Sequence, residues 1–289
     1  MLLRPIVGKL AIAALLGCGL GAPVQAVTVI SSSAFGISAN LTLLGFIGVG
    51  LGPLASVAGS ATPAYSTTGT VASVDQTLSL GVPVLAAVNE RVSTGVIDTS
   101  ASSPYPTTPT STATSTVNDL GLALTTKTIL GSPINILTIG ATTLSSTTSA
   151  NAANTLGVTS LSNITGLTFS GLALGALTID GSLFANAAPN TVILDVLGLR
   201  IIANEQITNG NGTDLLGRTT NALRVSFDNF IIGGGLLSGD VTVAHSRAEI
   251  VGLPLIDLGP IPEPSTWLQM IAGFGLVGVA ARRRRPAYA

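Results

Sequence analysis

The sequence has little charge. Asp, Glu, Lys and Arg together make up 9% of its 289 residues, against about 25% in ordinary soluble domains. Between residues 27 and 260, six basic side chains face twelve acidic ones. Proteins that bind nucleic acid through its phosphates need a basic surface, so this composition excludes a charge-driven partner of that kind. Disorder of the charged, weakly apolar type is also excluded, because 46% of the residues are hydrophobic.

Cysteine, histidine and aromatic residues are equally scarce. One Cys and one His exclude a disulfide framework and a conventional zinc site. We therefore expect no cofactor and no metal. Aromatic residues contribute 4%, which is unfavourable for sugar sites that stack rings. What the chain has instead is Gly, Ser, Thr and small apolar residues, with a mean hydropathy of +0.63.

Residues 1–26 have the pattern of a secretory signal peptide. Arg4 and Lys9 supply the positive start, residues 10–20 form an apolar helical core, and Ala26 ends a stretch of small residues suited to cleavage. Eleven apolar residues are too few for a permanent transmembrane anchor. The sequence thus predicts export, with signal peptidase and the secretion machinery as partners.

Cys18 leaves a second interpretation of this segment open. The residues that precede it, Leu15, Leu16 and Gly17, resemble a bacterial lipoprotein box, in which the cysteine becomes the lipidated first residue. The apolar stretch before Cys18 is short for that processing, so we favour cleavage after Ala26.

The C-terminus carries three parts in a fixed order. An extended Pro-Glu-Pro segment precedes the apolar residues 267–281, and basic residues follow. Fifteen helical residues span about 22 Å at 1.5 Å each, which is short against a hydrocarbon core of about 30 Å. Arginines at the end stay on the cytoplasmic side. The candidate sorting residues are Pro262, Glu263, Pro264, Arg282, Arg283, Arg284 and Arg285.

This tail, residues 261–289, resembles the PEP-CTERM sorting signal of Gram-negative bacteria. The resemblance implies that the transmembrane helix holds the exported protein in the inner membrane. It further implies an exosortase-type sorting protease as a partner, and a final location at the cell surface or in the extracellular matrix.

Residues 27–260 form the exported body, and their pattern predicts an all-β fold. Apolar and polar residues alternate in residues 222–230 and 177–183, as in sheets with one buried face. Gly and Pro recur at short intervals, which favours many short strands in a sandwich-like or irregular β body. A β-solenoid is the alternative, although no fixed repeat supports it.

Two segments of the body have a different composition. Residues 191–202 are apolar on both faces apart from Asp195 and Arg200, which predicts a central strand covered on both sides. Residues 99–116 contain twelve Ser or Thr and three Pro, which predicts a solvated loop or a linker that splits the body in two. One domain with a long surface loop is the alternative.

Several stretches of the body resemble the choice-of-anchor P family, in which one exported domain is joined to different sorting tails. The resemblance implies no known activity. The stretches are residues 34–41 (AFGISANL), 49–54 (VGLGPL), 63–65 (PAY), 203–206 (ANEQ), 220–223 (TNAL) and 244–246 (AHS).

Few residues are candidates for chemistry. His245, placed on one strand face with Val241 and Val243, would be a general base, but a hydrogen-bonded histidine at a strand end is the favoured interpretation. Glu205 lies in a polar cluster, residues 203–214. Two positioned carboxylates, Glu205 with Glu90 or Glu249, could hydrolyse a sugar linkage. Alternatively, the Asn and Asp oxygens of the cluster could bind Ca²⁺. A hairpin turn at Asn209-Gly210 is favoured over both.

These patterns predict a non-enzymatic exported protein of the surface or extracellular matrix, with a structural or adhesive role. The alternative is a protein that binds or hydrolyses carbohydrate, has Glu205 in its site, and takes extracellular polysaccharide as its partner.

Overall fold

The computed structural model describes residues 28–45, 47–82, 86–127, 132–153, 156–175, 177, 179–212, 214–232, 235–252, 269–272 and 274. The predicted signal peptide with Cys18 and Ala26 lies outside them, as do the Pro-Glu-Pro segment and the four arginines. Of the predicted transmembrane helix, residues 269–272 and 274 are described and helical. Among the described residues, no helix has the length and apolar composition that crossing a membrane requires.

The described residues form fifteen β-strands, seven in one sheet (sheet A) and eight in a second (sheet B). In chain order they are β1 (Val29–Leu43), β2 (Ile47–Leu54), β3 (Val57–Ala61), β4 (Tyr65–Val71), β5 (Val74–Val82), β6 (Ala86–Thr94), β7 (Ile97–Ser103), β8 (Thr110–Lys127), β9 (Ile134–Asn151), β10 (Gly157–Thr165), β11 (Thr168–Ser170), β12 (Thr191–Val196), β13 (Leu199–Asn209), β14 (Leu215–Ile232) and β15 (Gly235–Val251).

Both sheets are antiparallel throughout the described pairings. Sheet A has the order β12-β13-β14-β15-β1-β2, and β3 also pairs with β1. Sheet B has the order β10-β9-β8-β6-β5, with β7 on β8, β4 on β7 and β11 on β9. Two shorter strands, β2 and β3, thus pair with the same edge of β1, and β6 and β7 pair in the same way with one edge of β8. The first strand, β1, pairs with the last, β15, along its whole length, and Thr28 Oγ1 donates a hydrogen bond to Gly252 O at 2.8 Å.

The two sheets pack face to face, and their inner side chains form the core. The all-β prediction is confirmed. Pairing between the first and last strands agrees with the sandwich-like interpretation rather than with a solenoid, whose repeats contact only their neighbours. The prediction of short strands holds for only part of the body, because β8, β9 and β14 each have 18 residues. Glycines such as Gly140 lie inside these strands rather than ending them.

Three local predictions are wrong. Residues 99–116 are mostly strand, with a short turn between β7 and β8, and these two strands pair with each other; alternating Ser and Thr suit a half-exposed strand as well as a loop. Residues 191–202 are a hairpin, because Leu197 and Gly198 both have positive φ, as a type I′ turn requires. Residues 177–183 contain part of a 3₁₀ turn, Gly181–Phe184, rather than a strand.

The side of the strand that faces the core changes partway along the long strands of sheet A. In β15, the inward positions are Val241 and Val243 before Ala244, and Ser246 after it. Ala244 has φ +50°, and this one left-handed residue shifts the alternation. The same change occurs on β1, β13 and β14 at positions that lie side by side, which we call the switch row. Its residues are Asn204, Ala222, Ala244 and Gly36.

The switch row separates two kinds of interior. On one side the core is aliphatic, with Ile37, Leu223 and Val243 fully buried. On the other side buried hydroxyls join the sheets. Ser111 Oγ donates to Ser31 O at 2.6 Å, and further bonds connect β8 and β9 with sheet A. They are Ser115 Oγ to Phe35 O at 2.8 Å, Thr148 Oγ1 to Thr220 Oγ1 at 2.8 Å, and Thr148 Oγ1 with Ser246 Oγ at 2.9 Å.

Gly36 in the switch row allows a close approach of the two sheets. A Cβ at this position would lie 2.1 Å from Ile97 Cγ2 of β7. We therefore expect Gly36→Ala to destabilise the fold by about 1–3 kcal/mol through overpacking, measured by denaturant unfolding. In an Ile97→Ala background, which removes the clashing side chain, the additional loss caused by Gly36→Ala should be smaller. Equal destabilisation by Gly48→Ala, where a Cβ has no neighbour closer than 3.7 Å, would contradict this explanation.

Part of the outer face of sheet B is rich in hydroxyls. On β4, β7, β8, β9 and β10, the outward positions beside the hydroxyl-bonded interior form three rows of five directly opposed residues. Twelve of the fifteen are Ser or Thr, and we call the set of fifteen the hydroxyl face. The rows are Ser66, Ser102, Thr112, Ser149 and Thr159; Thr68, Ser100, Thr114, Thr147 and Leu161; and Thr70, Asp98, Thr116, Ser145 and Asn163.

Candidate functional site

The structure brings together two residues that the sequence singled out separately, Glu205 and His245. Glu205 of β13 lies opposite Asn221 of β14, Asn221 lies opposite His245 of β15, and His245 lies opposite Phe35 of β1. The four residues form one line across sheet A, next to the switch row and on the outer face. Register alone therefore assembles a polar cluster from positions forty residues apart.

Hydrogen bonds connect the cluster continuously. Arg224 Nη1 donates to Glu205 Oε1 at 2.8 Å, and Asn221 Nδ2 donates to Glu205 Oε2 at 2.6 Å. Asp240 Oδ2 lies 3.9 Å from Arg224 Nε, so two carboxylates share one guanidinium. Glu205 is 6% exposed. Its carboxylate is thus buried and satisfied by charge-assisted bonds, the stronger class of hydrogen bond.

The geometry determines which form of His245 is present. His245 Nδ1 lies 2.8 Å from Asn221 Oδ1, and Asn221 uses its amide nitrogen for Glu205. The oxygen is therefore an acceptor, and the imidazole donates from Nδ1. Burial lowers the pKa of His245 to about 4, assisted by the positive charge of Arg247 and opposed by Glu205. The ring is neutral at physiological pH and stacks on Phe35, with centroids 4.2 Å apart.

His245 does not lie where the alternation placed it. The sequence predicts that it shares a face with Val241 and Val243, but the positive φ of Ala244 turns His245 to the outer face. It also lies inside β15 rather than at a strand end. The favoured interpretation, a hydrogen-bonded histidine, describes the contact with Asn221.

The cluster joins strands rather than exposing a reactive group. Its bonds connect β13, β14 and β15 at the row where the strands change face. Sequence reasoning missed Asn221 and Arg224 as members, because their roles depend on register and on the shift at Ala222. The only signal was that Arg224 is one of six basic residues in the body.

The other two body glutamates lie elsewhere. Glu90 is 4% exposed between the sheets, in a cavity of about 20 Å³ whose other lining residues are apolar. Its Oε2 has no hydrogen-bond partner in the described part of the chain, and burial raises its pKa to about 7. Glu249 is paired with Arg247 on β15. The alternative interpretation, in which Glu205 hydrolyses a sugar linkage together with one of these residues, therefore has no support in these contacts.

The polar segment after Glu205 is a hairpin connection, as favoured. β13 ends at Asn209, and β14 begins at Leu215 and pairs back on it. Asn211 Oδ1 accepts from the backbone N–H groups of Asp214 and Leu215 at 2.9 and 3.2 Å. Within the described residues, no group of three or more His, Cys, Asp or Glu side chains is placed to hold a metal ion.

The described body is thus an all-β protein of two packed sheets with a bonded polar cluster on one outer face. Residues 260–285 match the family model of the PEP-CTERM protein-sorting motif. This motif indicates an exported protein that is first anchored in the membrane and then placed at the surface, with processing by an exosortase. No curated protein and no solved structure matches the chain.

Proposed function

We propose that the chain is a non-enzymatic protein of the bacterial cell surface or extracellular matrix, with a structural or adhesive role. The match of residues 260–285 to the sorting motif carries the proposal. The body supports it in a second way. Its best-formed polar cluster uses Glu205, Asn221 and Arg224 to bond one another, and its histidine is neutral and stacked.

We also propose that the body is a member of the choice-of-anchor P family. Four of the six stretches that resemble the family, residues 34–41, 203–206, 220–223 and 244–246, are far apart in the sequence. They lie side by side on β1, β13, β14 and β15, where they form the switch row and the line of Glu205. If the fold of the family requires the switch row, the residues that form it would be the ones that carry the resemblance.

The alternative, a carbohydrate site that includes Glu205, has one observation in its favour. Arg224 contacts both Glu205 and Asp240, so two carboxylates lie near each other on an outer face. Both oxygens of the Glu205 carboxylate, however, already accept hydrogen bonds, from Asn221 Nδ2 at 2.6 Å and Arg224 Nη1 at 2.8 Å. We therefore favour the structural role for Glu205.

Two sets of substitutions test the sorting signal, one in the Pro-Glu-Pro segment and one in the arginine cluster. We expect replacement of Pro262, Glu263 and Pro264 by Ala to leave the protein in the inner membrane, detected by fractionation and by protease treatment of intact cells. Replacement of the four arginines 282–285 by Gln should impair retention before sorting, because the cytoplasmic stop is removed.

The matched controls are Pro189→Ala and Arg200→Gln, which change exposed residues of the body. Both control variants should reach the surface in normal amounts. The proposal fails if the Pro-Glu-Pro variant reaches the surface as efficiently as the unaltered chain.

A further inference from the structure

A groove opens at one corner of the hydroxyl face. It has a volume of about 460 Å³ and is lined by Ala64, Tyr65, Ser66, Ser102, Ser103 and Pro104. The groove is shallow and open to solvent. Ser66 and Ser102 belong to both surfaces, because they form the first pair in a row of the hydroxyl face. The groove and the hydroxyl face are therefore one continuous surface.

The aromatic wall of the groove is fixed in place. Tyr65 Oη lies 2.7 Å from Ser32 Oγ, and their hydrogen bond joins β4 to β1. The ring packs on Gly59, where a Cβ would lie 2.0 Å from it. A ligand that contacts this ring does not have to order it first, which removes one cost of binding.

The chemistry of this surface selects a neutral ligand. Among the fifteen residues of the hydroxyl face there is no Lys or Arg, and Asp98 is the one charged group. Hydroxyls both donate and accept hydrogen bonds, so they complement another hydroxyl-bearing surface. Their spacing is regular, about 4.8 Å between strands and about 6.8 Å along them, which suits a ligand that itself repeats.

We propose that the groove at Tyr65 and the adjoining hydroxyl face bind a neutral polysaccharide. The groove takes a terminal or protruding sugar unit, and the rows of Ser and Thr take the units that follow. This inference rests on the adhesive role proposed above and gives that role a site. The site is distinct from Glu205, which lies on the outer face of the other sheet. Binding gains strength from many modest contacts along one polymer chain.

The test uses the full chain, purified in detergent, and its depletion from solution by insoluble neutral polysaccharides: cellulose, cross-linked dextran and chitin. We expect binding to at least one of them. Ser66→Ala together with Thr68→Val on β4 should weaken it about tenfold, because two exposed hydroxyls are lost and each bond contributes modestly. The double variant should retain its melting temperature, since neither residue is buried.

The matched control is Thr77→Val with Ser79→Ala on β5, another strand of the same sheet whose outward positions are equally exposed. This control should bind normally, as should Glu205→Gln. Absence of binding to all three polymers overturns the proposal, and so does equal weakening by the control. Loss of binding in Glu205→Gln would overturn it in favour of the Glu205 site. Sorting does not enter this measurement, so its failure and the failure of the proposed sorting are distinguishable.

Discussion

Replacing Glu90 with Gln is expected to stabilise the protein increasingly as the pH rises. The carboxyl lies between the sheets among apolar side chains, including Leu124, Ile139 and Phe227, and burial raises its pKa from 4.5 to about 7. Between these values the unfolded chain has lost its proton while the folded chain keeps it. The unfolded state therefore binds fewer protons, and stability falls as the pH rises.

The size of the effect follows from the pKa difference. About 2.5 units at 1.36 kcal/mol each give about 3 kcal/mol, lost progressively between about pH 4.5 and 7 and not regained above it. In a chain of this size that corresponds to roughly 6–12 °C in melting temperature. Glu90→Gln has no such loss, so its advantage over the unaltered protein should grow by about 3 kcal/mol from pH 4 to pH 8.

Denaturant unfolding at a series of pH values measures this advantage. Asp119→Asn is the control, because Asp119 is an exposed carboxylate on the neighbouring strand β8. A constant difference between Glu90→Gln and the unaltered chain across this range would show that Glu90 ionises normally in the fold.

Replacing Glu205 with Ala is expected to destabilise the protein by about 2–3 kcal/mol. The substitution leaves the guanidinium of Arg224 and the amide of Asn221 without their partner, and bonds to charged groups contribute about 1.5–3 kcal/mol. The loss stays below the 3–5 kcal/mol of a fully buried pair, because the Arg224 side chain is 36% exposed and Asp240 remains close.

A double-mutant cycle with Arg224→Ala separates the pair energy from other effects. The matched control is Asp195→Ala, whose partner Arg200 lies 3.7 Å away with both side chains more than half exposed; an exposed pair contributes less than about 1 kcal/mol. An increase in stability on replacing Glu205 would contradict the structural role. It would favour the alternative site instead, since functional groups often reduce stability.

The sequence predicted what depends on local pattern. Alternation in residues 222–230 indicated a half-buried strand, and those residues lie in β14. The sorting motif was identified because it is linear, with no folding required to bring its parts together. The hairpin connection after β13 was predicted as well, although its turn is not at Asn209-Gly210, because Asn209 still pairs with Gly217.

The sequence did not reveal what depends on a single backbone angle. Alanine is not a residue type that favours the left-handed conformation, so the sequence does not mark Ala244. Its φ nevertheless decides which face His245 occupies. The cluster of Glu205 with His245 was also not predicted. The two residues lie on β13 and β15, and only the register of both strands with β14 brings them together. Strand lengths were also misjudged, because Gly140 and the Ser and Thr residues are tolerated within long paired strands.

The pairing of β1 with β15 has a mechanical consequence. In the chain, β15 is the last strand before the sorting tail, so a pull on the tail acts first on the C-terminal end of this strand. β15 is bonded on one side to β1 and on the other to β14 over nearly its full length. Such a pull loads both ladders in shear, with their hydrogen bonds sharing the force, instead of opening them one at a time. The buried hydroxyl bonds beside Thr148 then transmit the load to sheet B.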